Sequence, residues 1–166
     1  MQILEGADMS IISEELKKYI NQSGTLKSIA TVSREGIPHV AYKGTLHTEE
    51  NQIVFYDLIQ SSQTNKNLVN AIWYEQKVAV NILTEDKRSF LIVGNPIKSV
   101  TAGKAFEKIY VELQEKLGQE TDLNAIWYIQ PISIREETYL QRKQEEETKY
   151  PYIKHLDRIV DEEKLI

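Results

Sequence analysis

The sequence contains no cysteine, which excludes disulfide bonds, a thiolate nucleophile, and zinc or iron–sulfur centres held by cysteine. It has no apolar run approaching the roughly 18 residues of a membrane-spanning helix. Residues 1–8 lack the basic start and apolar stretch of a secretory signal. These absences predict a soluble, cytoplasmic protein that has no membrane partner.

Basic charge is also scarce. The 166 residues carry 20 Lys and Arg against 25 Asp and Glu, which gives a formal net charge of −5. Because nucleic acid is bound mainly through basic surfaces, this balance argues against a nucleic-acid partner. The length suits a single domain with a sizeable hydrophobic core.

Common catalytic and ligand-binding motifs are missing too. The seven glycines are scattered singly, so there is neither a Walker loop nor a GxGxxG turn, and no GxSxG elbow occurs. The histidines are His39, His47 and His155. His39 and His47 would lie roughly 26 Å apart on a straight strand, too far to ligate one ion. The sequence therefore predicts no metal site.

Hydrophobic periodicity predicts a mainly β protein with α-helices. Strands are expected at 26–32, 38–46, 52–58, 77–84, 89–100 and 125–134, and helices at 10–22, 64–73 and 103–117. Strands joined by tight turns favour an antiparallel barrel over a doubly wound sheet. The charge-rich residues 136–166 are expected to form an extension beyond a domain at 1–135, packed on the barrel or on a dimer partner.

One loop has the composition of an anion-binding site. Residues 57–67 (DLIQSSQTNKN) join a strong strand to an apolar helix, and no acidic residue occurs between Asp57 and Glu75. Backbone N–H groups at a helix start, hydroxyl groups and the Lys66 ammonium together suit a phosphate. The alternative is an ordinary helix cap in which Thr64 is the capping residue. Composition alone favours the cap, which is the commoner arrangement.

A longer pattern favours the phosphate. Residues 26–40 (LKSIATVSREGIPHV) resemble the opening hairpin of the pyridoxamine 5′-phosphate oxidase-like, FMN-binding split-barrel family. IVFY at 53–56, the Ser- and Lys-containing loop, Asn67-Leu68 and KVAV at 77–80 follow in the order that the family has. The resemblance covers residues 10–135. It implies a six-stranded antiparallel split barrel that forms a homodimer with two shared FMN sites.

The resemblance also implies which residues contact the flavin. The loop at 61–67 would hold the phosphate, and the ring would lie along the second strand. Apart from the resemblance, Lys43 is a candidate for a positive group near N1 that would stabilise the reduced flavin. Trp127 on the last strand would make a contact across the dimer. The implied cofactor-binding residues are Tyr42, Lys43, Gly44, Tyr56, Asp57, Ser61, Ser62, Thr64, Lys66, Asn67 and Trp127.

The sequence departs from the family pattern at three places. Gln63-Thr64 stand where members commonly have Arg-Lys, and Ala41 stands where many carry Arg, so fewer cations would hold the phosphate. Residues 133–139 do not supply the Arg-x-His-type substrate motif of the vitamin B6 oxidase. We therefore expect an FMN-dependent oxidoreductase acting on another small molecule, with NADH or NADPH as the candidate electron donor. No catalytic residue is singled out.

Two other functions fit the same motifs. One is a flavin carrier or redox sensor without turnover, which reduction by NADH or NADPH and reoxidation by a substrate would distinguish. The other is a split barrel that binds haem or a deazaflavin, with His39, His47 or His155 as the axial ligand of a haem.

Overall fold

The computed structural model describes residues 11–159. Residues 1–10 and 160–166, which belong to the predicted domain and to the predicted extension, lie outside the described residues. Within 11–159 the elements are α1 (Glu14–Asn21), β1 (Leu26–Val32), β2 (Pro38–Tyr42), β3 (His47–Glu49), β4 (Gln52–Asp57), α2 (Gln63–Trp73), β5 (Val78–Leu83), β6 (Ser89–Val100), α3 (Lys104–Leu117), β7 (Ala125–Glu136) and α4 (Tyr139–Lys149), with a 3₁₀ turn at Leu156–Arg158.

The strands form one antiparallel sheet in the order β2-β1-β5-β6-β7-β4-β3. The sheet has seven strands, and the expectation of six is wrong because a further short strand, β3, forms between the predicted strands at 38–46 and 52–58. β2 ends at Tyr42 and pairs with β1, whereas β3 begins at His47 and pairs with β4. The ladder is therefore not closed, and residues 43–46 join the two ends of the sheet.

Residues 43–46 cross the seam between the two ends of the sheet. The Lys43 N–H donates to the carbonyl of Lys27 on β1 over 2.9 Å. The Thr45 hydroxyl donates to the Tyr56 carbonyl on β4 over 2.8 Å and accepts from the Tyr56 N–H over 3.0 Å. The crossing segment thus bonds to both edges, and the sheet curls round its core as an open, split barrel.

Two helices fill the inside of this barrel. α1 is amphipathic: its Leu16 and Ile20, together with Ile12 just before its cap, are spaced four residues apart and are all buried. It begins later than the predicted residue 10 because the Ser13 hydroxyl accepts the N–H of Leu16 and caps it. α2 contributes Leu68 and Ala71 to the same core.

The outside of the sheet is covered on one half only. Leu113 of α3 packs with Val54 and Ile126 on the outer face of β4 and β7. On β1 and β2, nothing in the described part of the chain covers the outward side chains, and Val40 and Tyr42 are 64% and 73% exposed. α4 has no buried residue. No helix within 11–159 is long and apolar enough to span a membrane.

Candidate functional site

The start of α2 is organised by a serine. The Ser62 hydroxyl accepts the Asn65 N–H over 3.1 Å and donates to Oδ2 of Asp57 over 2.7 Å. Ser62 is therefore the cap of this helix, and Thr64, expected as the cap in the alternative interpretation, lies in the first turn. The neighbouring Ser61 and Lys66 are both exposed.

Asp57 connects this loop to the seam of the barrel. The carboxylate is 1% exposed and accepts the Ile59 N–H over 3.1 Å as well as the Ser62 hydroxyl. The Lys43 ammonium lies 3.6 Å from Oδ2 and 5.5 Å from the centre of the Phe55 ring. The positive charge of Lys43 is thus balanced by a buried carboxylate at the end of β4.

Three predicted contact residues are buried between α2 and the sheet. The Asn67 amide donates to the Thr31 hydroxyl over 2.9 Å and accepts from the Gln63 amide over 2.7 Å. The Trp127 ring is 1% exposed, and its indole N–H donates to Oδ1 of Asn65 over 2.9 Å. Asn67 and Trp127 therefore fix α2 to the barrel wall from inside, where neither offers a surface contact.

Thr64 is the third buried residue and differs from the other two. It is 1% exposed, and its Oγ1 has no hydrogen-bond partner in the described part of the chain. A buried hydroxyl without a partner is unusual, because nearly all buried polar atoms in proteins are paired. Within residues 11–159, this oxygen is the one buried side-chain polar atom at the start of α2 without a hydrogen-bond partner.

Tyr42, Gly44 and Tyr56 lie away from the loop. Tyr42 points outward from β2. Gly44 and Tyr56 line a cleft of about 760 Å³ between the end of α1, the crossing segment and the end of α3. Sequence reasoning missed this cleft, since its walls come from residues that are up to 96 positions apart, from Asn21 to Leu117. The predicted set is thus divided between the α2 start, the barrel interior, the outer face and the cleft.

His47 stands on the cleft wall in a defined orientation. Its Nδ1 lies 2.7 Å from the Thr45 carbonyl, which can only accept, so Nδ1 carries the hydrogen. Nε2 lies 3.1 Å from Glu49 and 3.5 Å from the Tyr56 hydroxyl. Burial raises the pKa of Tyr56, and the Glu49 and Glu112 carboxylates raise it further. Tyr56 therefore stays protonated at neutral pH. Nε2 donates to Glu49 when it carries a hydrogen and accepts from the Tyr56 hydroxyl when it does not.

Metal ligation has no support from the side-chain geometry in residues 11–159. No group of three or more His, Asp or Glu side chains there is placed to hold an ion.

No protein-family model and no curated relative matches the sequence. Solved structures do match the fold. HupZ from Group A Streptococcus is 20% identical, with a TM-score of 0.62 over 78% of this chain and 96% of that one. A candidate pyridoxamine 5′-phosphate oxidase from Lactobacillus delbrueckii is 14% identical, with a TM-score of 0.59 over 81% and 99%. An FMN-binding protein from Syntrophomonas wolfei is 15% identical, with a TM-score of 0.55 over 73% and 82%.

The same fold occurs with another ligand. The haem-storage protein HutZ from Vibrio cholerae is 15% identical, with a TM-score of 0.54 over 80% of this chain and 99% of that one. At such identities the likeness concerns the fold alone. The predicted resemblance to FMN-binding and pyridoxamine 5′-phosphate oxidase-like split barrels is confirmed at that level.

Proposed function

We propose that this chain is a flavin-binding split-barrel protein that holds the phosphate of FMN at the start of α2. The observation that carries the proposal is the buried Thr64 hydroxyl, which lacks a partner among the described residues. An unpaired buried hydroxyl costs about 1–3 kcal/mol, and a phosphate oxygen is an acceptor that would remove this cost. The likeness of fold to an FMN-binding protein supports the same choice.

The charges at the start of α2 suit an anion. The first turn contains no acidic residue, so nothing in it offsets the partial positive charge of the helix N-terminus. The groups available to a phosphate are the Ser61 and Thr64 hydroxyls, the Lys66 ammonium and the first-turn N–H groups. The Asp57 carboxylate would oppose an anion, but Lys43, Ser62 and the Ile59 N–H already compensate it.

The rest of the proposal concerns the ring and the partner. The ring would lie along residues 42–44, and FMN would supply electron and hydride transfer to a small substrate, with NADH or NADPH as donor. The chain's own residues would bind the cofactor and orient it. The exposed apolar side chains of Val40 and Tyr42 on the outer face of β2 support a homodimer, because a second copy would cover them.

Titration with FMN tests the proposal. Free FMN fluorescence falls on binding, and we expect Lys66→Gln to weaken the affinity about fivefold through the loss of one exposed charge contact. The matched control is Lys77→Gln, an exposed lysine beyond the other end of α2, which should leave the affinity unchanged. No binding by the wild type, or equal affinities for the wild type and Lys66→Gln, would contradict the proposed phosphate site.

Haem binding is the second candidate function, and the orientation of His47 favours it. In the neutral ring with hydrogen on Nδ1, the Nε2 atom on the cleft wall would have the lone pair that an axial ligand needs, provided that it gives up its 3.1 Å contact with Glu49. The haem-storage protein with this fold supports the same candidate. Reconstitution with hemin should then give a Soret band that shifts in His47→Ala, whereas a spectrum unaffected by that substitution would exclude His47 as the ligand.

A further inference from the structure

We infer that the cleft between the end of α1, the crossing segment and the end of α3 binds an amphipathic organic anion at a site distinct from the start of α2. The inference does not depend on the proposed phosphate site, because Ser61, Thr64 and Lys66 do not line the cleft; Gly44, at the end of the segment along which the ring would lie, does line it. Its volume of about 760 Å³ falls in the range of small-molecule sites, roughly 300–1,000 Å³.

One part of the cleft wall is apolar. Leu46 and Leu113 are buried at its base, and Leu58 is half-buried beside them. Leu117, the last residue of α3, is 53% exposed on the same wall. A ligand with a hydrocarbon body would cover these side chains and remove their apolar surface from water.

The charged part of the wall is basic. The cleft is lined by Lys27, Lys116 and His47, and no Asp or Glu is found among its lining residues in the described part of the chain. This is a local reversal, because the whole chain has 25 acidic residues against 20 basic ones. Two carboxylates act on the wall from beside it: Glu49 pairs with His47 over 3.1 Å, and Glu49 and Glu112 both raise the pKa of Tyr56.

Both lysines are available to a ligand. Within residues 11–159 neither Lys27 nor Lys116 belongs to an ion pair. Lys27 donates to the Ile20 carbonyl at the end of α1 over 3.2 Å, which leaves other ammonium hydrogens free to donate. Burial lowers the pKa of Lys27, and a bound anion would favour its charged form. The apolar wall and the basic wall together select a molecule with a hydrocarbon body and an anionic group.

A matched pair of fluorescent probes tests this inference. 8-Anilinonaphthalene-1-sulfonate carries a sulfonate, whereas N-phenyl-1-naphthylamine has the same rings and no charge. Leu117→Lys and Leu117→Glu remove the same exposed leucine and differ in charge by two units. At low salt we expect the sulfonate probe to bind Leu117→Lys about tenfold more tightly than Leu117→Glu, while the neutral probe binds both equally. Lys116→Gln should weaken the sulfonate probe about threefold, and Lys104→Gln, at the far end of α3, should not.

Three results would overturn the inference. The first is equal affinity of Leu117→Lys and Leu117→Glu for the sulfonate probe. The second is a difference between the two variants in affinity for the neutral probe that is as large as the difference for the sulfonate probe. The third is one-for-one displacement of the sulfonate probe by FMN, since the cleft would then be the flavin site itself. Displacement by hemin would support the inference and identify haem as the source of the anion. If FMN does not bind but the sulfonate probe behaves as expected, the proposed function is refuted and the inference about the cleft is supported.

Discussion

Lys43 and Asp57 are expected to stabilise the fold only as a pair. The Asp57 side chain is 1% exposed and the Lys43 side chain 15%, so both charges have lost most of their water. At their separation of 3.6 Å, the attraction at an effective dielectric constant of 20 is about 4–5 kcal/mol, most of which offsets the cost of desolvation. Removing one partner leaves the other charge buried and uncompensated.

We therefore expect Lys43→Met to lower the free energy of unfolding by about 3 kcal/mol. Asp57→Asn should cost about 2 kcal/mol, because the amide keeps an acceptor for Ser62 or Ile59 but loses the charge. In Lys43→Met/Asp57→Asn no charge is left unpaired. The double variant should therefore be about 2 kcal/mol more stable than the sum of the single effects indicates.

Urea unfolding followed by far-ultraviolet circular dichroism gives the free energy of unfolding of the wild type, the two single variants and the double variant. Lys104→Met, an exposed residue at the start of α3, is the control for replacing a lysine with methionine and should be within about 0.5 kcal/mol of the wild type. Additive effects, with a coupling energy below about 0.5 kcal/mol, would refute the reasoning. If Lys43→Met also left FMN affinity and the flavin potential unchanged, a role of Lys43 near the ring would be excluded.

Three further predictions follow from other parts of the fold. Arg88 lowers the pKa of Glu136 from its ordinary value of 4.5. The pair therefore stabilises the protein above about pH 4.5, and this stabilisation is lost as the pH falls below that value. The melting temperature should fall more steeply from about pH 5 to 3 in the wild type than in Arg88→Gln. A Cβ at Gly94 would lie 2.7 Å from a backbone carbonyl oxygen of β7, so Gly94→Ala should cost about 2–3 kcal/mol in urea unfolding, whereas Gly44→Ala, with no described atom within 4 Å, should cost less than about 0.5 kcal/mol. The wild type should sediment as a dimer at micromolar concentration and Val40→Lys as a monomer, and a wild-type monomer would contradict the shared flavin sites.

Much of the fold follows from local pattern. Alternating apolar residues and tight turns predict most of the strands, because a strand with one buried face needs that alternation. The break after Tyr42 is different. The pattern of residues 38–46 predicts one strand, but residues 43–46 turn, with the Leu46 N–H donating to the Lys43 carbonyl, and bond to β4 through Thr45. The bond to β4 joins distant segments and is not visible in the local pattern.

The site was predictable in part. The lack of acidic residues after Asp57 drew attention to the start of α2, where Asp57, Ser62 and Asn65 meet at the helix cap. The burial of Asn67 and Trp127 was not predictable, because their partners Thr31 and Asn65 are brought to them by tertiary packing. The cleft left no sequence signal, since single leucines and lysines from distant segments form it.

The absorption spectrum of the purified protein, recorded after addition of FMN and desalting, tests the central claim most directly. The account predicts retained bands near about 370 and 450 nm, which are typical of bound oxidised flavin. Absence of these bands after desalting, together with a Soret band retained after incubation with hemin, would contradict flavin binding. The protein would then be a haem-binding split barrel.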